Sequence, residues 1–130
     1  MSQKEQDTRQ SQLSDIRNLS AQANNGKICI GYQTLDIDNT AVYRLTIPAN
    51  TTLAEITLEV NTSSTNISAA ARYTADGTTP ITGAASASTH GIPIGDFDTL
   101  ILFNTNNINN FRVIAVDAVA HKFLRILYFK

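Results

Sequence analysis

Residues 53–61 read Leu-Ala-Glu-Ile-Thr-Leu-Glu-Val-Asn, and they decide the fold class. Ala54, Ile56, Leu58 and Val60 take alternate positions, with Glu55, Thr57 and Glu59 between them. Successive side chains of a strand point to opposite faces, so this is a strand with one buried face and one wet face. Working outward, residues 41–48 (AVYRLTIP) alternate in the same way, with Ala41, Tyr43, Leu45 and Ile47 on one side. Further strands are expected at residues 27–32 (KICIGY), 67–74 (ISAAARYT), 97–103 (FDTLILF), 111–117 (FRVIAVD) and 123–129 (FLRILYF). The last is apolar at nearly every position, which predicts a central strand covered on both faces.

These segments carry no long helix between them, so parallel pairing lacks its crossovers and the strands must run antiparallel. The expected architecture is an all-β, antiparallel two-sheet β-sandwich, of which the jelly roll is one form. Polar runs at 61–66 and 104–110 read as turns. The longest connection spans 75–95 and holds Asp76-Gly77, Pro80, Gly83, Gly91, Pro93 and Gly95. Connections of that length are usually functional or form an interaction surface.

Composition agrees and removes whole classes of function. The chain has 130 residues, 42% hydrophobic and 16% charged, which suits one folded domain and not a disordered chain. It holds 16 Thr, 12 Asn and 9 Ser, residues of pleated surfaces and turns. Net charge is −1 and Lys and Arg are scattered singly, so no nucleic-acid partner is expected. The lone Cys29 builds neither an intrachain disulfide nor a thiolate metal site. No apolar run reaches the ~20 residues of a membrane span, and no membrane partner is expected. The polar start MSQKEQDTRQSQ lacks the apolar region of a signal peptide, which predicts synthesis in a cytoplasm. The Asn-x-Ser/Thr sequons at Asn18, Asn50, Asn61 and Asn66 then follow from composition alone.

Residues 1–26 form a separate zone, a polar arm ahead of the β-sandwich domain at 27–130. Leu13, Ile16, Leu19 and Ala23 recur at three- and four-residue steps, a narrow helical stripe. Ser11 suits a helix start and Asn25-Gly26 a helix stop. So short and polar a helix is marginal alone. The stripe either lies against its own domain or meets another subunit, and these four residues are the candidate partner-binding set.

The chemistry-bearing residues form no recognisable catalytic pattern. Ser86, Ser88 and His90 lie close in sequence, and Asp96 and Asp98 follow, but the G-x-S-x-G elbow is absent. His121 opens the last strand as a turn-side residue. Asp36-Ile37-Asp38-Asn39 begins like a calcium loop, yet the sixth and twelfth positions hold Ala41 and Ile47 in place of Gly and Glu. Asp96-Phe97-Asp98 is a second loose carboxylate pair. Glu55 and Glu59 share a strand face about 13 Å apart, wider than the pair of a retaining glycosidase. No phosphate loop, dinucleotide fingerprint or zinc spacing occurs, so no cofactor and no metal is expected. Trp is absent, and Tyr32, Tyr43 and Tyr73 are expected to pack in strands, although they are also the aromatic residues available to a sugar. Asp76 is expected to cap its own turn, with Gly77 supplying positive φ and Arg72 pairing with Asp76 as a brace.

One run has a familiar order. It reads Ala71-Arg-Tyr-Thr-Ala-Asp-Gly-Thr-Thr-Pro80, then a small-residue stretch, then His90-Gly-Ile-Pro-Ile-Gly-Asp-Phe-Asp98. Asn110-Phe-Arg-Val-Ile114 and the terminal Leu127-Tyr-Phe-Lys130 follow. Across residues 69–130 this resembles small virion proteins of tailed bacteriophages. Their pattern is R-(Y/F)-T-x-D-G-T-x-P-T, a Gly-rich return, an x-x-F-R-x-I strand and a chain end of the v-x-Y-(Y/F)-x type. Thr82 departs from it by one position, after Ile81. Residues 1–66 carry no matching motif. The resemblance implies a non-enzymatic structural subunit located in the virion: a capsid decoration, head-fibre, or neck or tail accessory protein. It would contact capsid, portal or tail subunits and copies of itself, and it carries over no catalytic residue. Two other expectations stand beside it. One is a receptor- or carbohydrate-binding module at a fibre tip that uses the 75–95 loop. The other is a small hydrolase built on His90.

Overall fold

The computed structural model describes residues 26–61, 69–83, 86–118 and 121–130. Seven strands and one short helix follow in chain order: β1 (Cys29–Ile37), β2 (Leu53–Val60), β3 (Ala71–Thr74), β4 (Ile92–Ile94), β5 (Thr99–Phe103), α1 (Thr105–Asn109), β6 (Arg112–Ala115) and β7 (Lys122–Phe129). They build two antiparallel sheets, ordered β1-β7-β2-β5 and β4-β3-β6. The all-β two-sheet sandwich is therefore present.

Residues 41–48 do not form the expected strand. Only Tyr43 pairs, exchanging backbone hydrogen bonds with Val113 on the free edge of β6 (2.8 and 3.1 Å). The reason is length: β6 has four residues, so Arg44 already lies opposite its first residue, Arg112, and no described strand continues opposite residues 45–47. The Thr46 N–H donates to Gln33 Oε1 of β1 instead, at 3.1 Å. Counted with this reduced strand, the second sheet runs 41–48, β6, β3, β4. The chain alternates between the sheets in the order of a jelly roll.

Other boundaries move for identifiable reasons. β1 runs on to Ile37, because all of Gln33–Ile37 finds partners on β7, and Asp36 is thereby a strand residue. β5 starts at Thr99, since Phe97 adopts φ +64 in a turn and is 73% exposed. β3 and β6 are shorter than expected, and residues 67–68 lie outside the described chain. β4 and α1 fall within stretches read as loop and turn.

β7 is central, paired with β1 on one side and β2 on the other. Leu124, Ile126 and Tyr128 point inward beside Ala54, Ile56, Leu58 and Val60. Ala71, Ile94, Val113 and Ala115 meet them from the second sheet, and Ile108 and Phe111 close one end. The outer face of β7 is covered only in part: Phe129 is buried, Phe123 and Arg125 are half-buried and Leu127 is exposed. Lys122 is fully buried and its Nζ lies 2.6 Å from Asp117 Oδ1, a paired charge at the strand's start. Gly31 sits where Pro48 of the 41–48 segment crosses β1; a Cβ there would lie 3.0 Å from the Pro48 ring.

The alternation along β7 makes a paired prediction. Ile126→Ala should lower stability by about 2–5 kcal/mol through lost transfer energy and a cavity. Leu127→Ala, one residue on, should change it by less than about 1 kcal/mol. Urea unfolding with unchanged slope reads both, and equal losses would contradict the one-sided burial.

Candidate functional site

The long connection between β3 and β4 folds back on itself through a short chain of side-chain bonds. Asp76 Oδ1 accepts from the Thr78 backbone N–H (3.0 Å) and from the Thr78 hydroxyl (2.5 Å). Gly77 supplies the turn with φ +85 and donates its N–H to Asn110 O at 3.0 Å. Thr74 Oγ1 donates to Thr78 O at 2.6 Å. The chain then returns through a two-bond bridge between Ile81 and His90, which sets His90 Nε2 2.7 Å from Thr78 Oγ1. Gly91 follows at φ +110 in close contact with β3, where a Cβ would meet Tyr73 O at 3.0 Å.

This fold-back leaves a groove of about 560 Å³ between the loop and α1. Tyr73, Asp76, His90, Ile92 and Asn107 are among the residues that line it. Asn104 caps α1, accepting from Asn106 N at 2.8 Å, and Asn107 Nδ2 donates to Phe103 O at 2.9 Å. Tyr73 stacks on Phe111 with ring centroids 5.7 Å apart, so the aromatic wall is held rigidly.

Proton positions follow from the charges. The Thr78 hydroxyl, and next the Thr78 N–H, hold the Asp76 carboxyl below its ordinary value of 3.8. An ionised carboxylate only accepts, so the Thr78 proton points to Asp76 and Thr78 Oγ1 accepts from His90 Nε2–H. His90 is thus the donor of this bond. A nucleophile–base pair needs the opposite polarity, with imidazole taking the hydroxyl proton. Ser86 Oγ and Ser88 Oγ lie 2.8 Å from each other, and neither is bonded to His90. The hydrolase arrangement considered from sequence is therefore not assembled.

The remaining sequence-chosen residues have local partners. Arg72 does not brace Asp76; its Nη1 donates to Gly91 O at 2.8 Å, tying β3 to the start of β4. The Asp76 cap and the positive φ of Gly77 are both present. Asp38 repeats the Asp76 turn, accepting from Thr40 N (2.9 Å) and Thr40 Oγ1 (2.6 Å). The Thr40 hydroxyl is the main cause that lowers its pKa. Asp96 Oδ1 accepts from Val60 N and Asp98 Oδ2 from Gly95 N, at 2.9 and 2.7 Å. Both carboxylates are turn locks. Among the described residues, no group of three or more His, Cys, Asp or Glu is placed to hold a metal ion. Leu13, Ile16, Leu19 and Ala23 lie outside the described residues.

A second feature was not foreseen. The outer face of the four-stranded sheet divides into two halves. In one half Thr34, Arg125, Thr57 and Thr99 stand in register across all four strands. They are joined by Arg125–Thr34 and Thr57–Thr99 bonds of 3.1 and 2.9 Å. Arg125 also reaches Glu59 at 3.4 Å and lies 5.0 Å over the Phe123 ring, while His121 stacks on Phe123 beside Asp36. In the other half Tyr32, Leu127 and Ile101 share one row around Glu55. Tyr32 is 61% exposed, so it is not the strand-packing tyrosine expected, whereas Tyr43 and Tyr73 do pack on the core. Phe103 flanks the row at 57% exposure. The period-two pattern of β5 contains this signal, since Thr99, Ile101 and Phe103 oppose the buried Leu102.

The chain matches no protein-family model and no curated protein.

The Asp76 turn titrates in a predictable direction. Its folded pKa lies below the unfolded one, so its contribution is present above the ordinary carboxylate range and is lost as pH falls through that range. In Thr78→Val the Asp76 carboxyl, followed by ¹³C NMR, should titrate closer to 3.8, with Asp38 unchanged. The stability difference between the two proteins should shrink on acidification. An unmoved Asp76 midpoint would refute the assigned proton direction.

Proposed function

We propose that this chain is a non-enzymatic structural subunit of a tailed-bacteriophage virion, of the capsid decoration, head-fibre, or neck or tail accessory type. The observation that carries the reading is the apolar half of the outer sheet face, where Tyr32, Leu127 and Phe103 are exposed. Exposed apolar side chains grouped on one face mark interaction surfaces, whereas single ones are ordinary. The hydroxyl-rich half beside it suits the wet, hydrogen-bonded rim of a contact repeated between symmetric copies. The run of residues 69–130 that resembles phage virion proteins supplies the particle, and jelly rolls are common capsid domains, a fold-level analogy. The partners in this reading are capsid, portal or tail subunits and further copies of the chain. Residues 1–26, through Leu13, Ile16, Leu19 and Ala23, supply an additional anchor.

The test places one charge on the apolar half. Particles purified from cells carrying the encoding genome should contain the chain at a fixed copy number, by quantitative mass spectrometry. Leu127→Asp should stay folded, since the side chain is on the outer face, yet be depleted from particles at least tenfold. Absence of the wild-type chain from particles would overturn the virion reading. Undiminished incorporation of Leu127→Asp would overturn the role of this face.

A further inference from the structure

We propose that the groove between the β3–β4 loop and α1 binds a neutral pyranose sugar. Its polar wall is made by Asp76, His90 and Asn107. Asp76 lines the groove, and both Thr78 bonds fall on its Oδ1, so Thr78 does not use Oδ2. His90 lines the groove with its ring held by the Nε2 bond to Thr78. Asn107 lines the groove with its amide held by an Nδ2–H bond to Phe103 O. Each of these groups is thus held by a bond of its own, so little rotamer freedom is lost on binding. The opposite character comes from Ile92, 58% exposed, and from the Tyr73 ring braced on Phe111.

The combination selects a ligand class by elimination. A purely apolar ligand would strip water from these three polar groups and return no hydrogen bond, a loss for each one. An anion, whether phosphate or an acidic sugar, would meet the Asp76 carboxylate and find no Lys or Arg among the lining residues. A simple amine would gain one exposed ion pair, which is worth little in water, and would leave the apolar wall unused. A neutral pyranose presents several hydroxyl donors around a ring with an apolar C–H face, and it satisfies both walls at once. The groove volume of about 560 Å³ lies in the range of small-ligand clefts. This inference stands apart from the assembly surface, since it uses the end of the smaller sheet and not the outer face of the larger one.

The test uses the full chain and ¹H–¹⁵N correlation spectra. Methyl pyranosides of glucose, galactose, mannose and N-acetylglucosamine are titrated singly, with putrescine and glucuronate as charged controls. At least one neutral pyranoside should shift the amides of residues 73–76, 90–92 and 107 saturably, with a Kd on the order of 1 mM. His90→Ala and Ile92→Ser should each weaken it by about tenfold while the rest of the spectrum stays dispersed. The proposal is overturned if no neutral pyranoside moves these amides, if putrescine or glucuronate moves them in their place, or if both variants bind as tightly as the wild type. Loss of the sugar site would leave the virion reading intact, and the reverse also holds.

Discussion

The pairing of the two sheets takes the Tyr128 ring out of water, leaving it 1% exposed, and its hydroxyl then needs a partner inside the domain. Gln33 Oε1 accepts it at 2.5 Å and also accepts the Thr46 N–H at 3.1 Å. One amide oxygen therefore joins the central strand β7, the edge strand β1 and the segment 41–48. Burial pushes the Tyr128 phenol up to about 12, so this bond is retained well into alkaline conditions. Residues 41–48 have a single backbone bridge of their own, so the Tyr128–Gln33–Thr46 link does much to keep the second sheet covered. Pro48 lying over Gly31 completes the same crossing.

The core follows from that arrangement. The four-stranded sheet offers the larger side chains Ile56, Leu58, Leu124 and Ile126, and the three-stranded sheet answers with Ala71, Ala115 and Val113. Large residues facing small ones let the sheets approach closely without voids. The smaller sheet has short strands and leaves its connections long. That is why the β3–β4 loop and α1 sit together at one end and form a groove, while the larger sheet presents a flat outer face. Binding groove and flat face are two consequences of one asymmetry.

The sequence made the period-two elements legible. Alternation at 53–60 locates β2 and its buried set, the apolar density of 123–129 locates the central strand, and Asp76-Gly77 locates the turn. It misled where pairing depends on what lies opposite. Residues 41–48 alternate well, yet β6 is too short to pair with them. Leu127 belongs to an apolar run, yet no described layer lies over that face. β4 is Ile-Pro-Ile, too short for any period to register, and α1 is mostly Asn, a residue that reads as turn. For the candidate site, the sequence draws attention to the 75–95 loop, while the structure gives His90 a different neighbour. His90 was set against Ser86 and Ser88 because they are near in the chain. The Ile81–His90 bridge carries it back to Thr78, twelve residues away.

The two Asp turns show how little of a site is local. Asp38-Asn39-Thr40 and Asp76-Gly77-Thr78 close with the same pair of bonds from Thr to Asp, and both carboxylates are stabilised by them. Local chemistry alone would give them the same role. They differ in what the returning chain brings to the Thr hydroxyl. Among the described residues no imidazole is bonded to Thr40, and Asp38 is further lowered by the Tyr43 hydroxyl, so that turn ends as a brace for the 41–48 segment. Thr78 receives the Nε2–H of His90, which holds that ring in the lining of the groove. What makes the second turn a candidate site is the positive φ of Gly91, which lets the chain cross β3 closely enough for His90 to arrive. A Cβ at that position would press on Tyr73 O and on the Arg72 and Pro80 side chains, and the imidazole would lose its register with Thr78. The chemistry of the groove therefore depends on a residue that has no side chain.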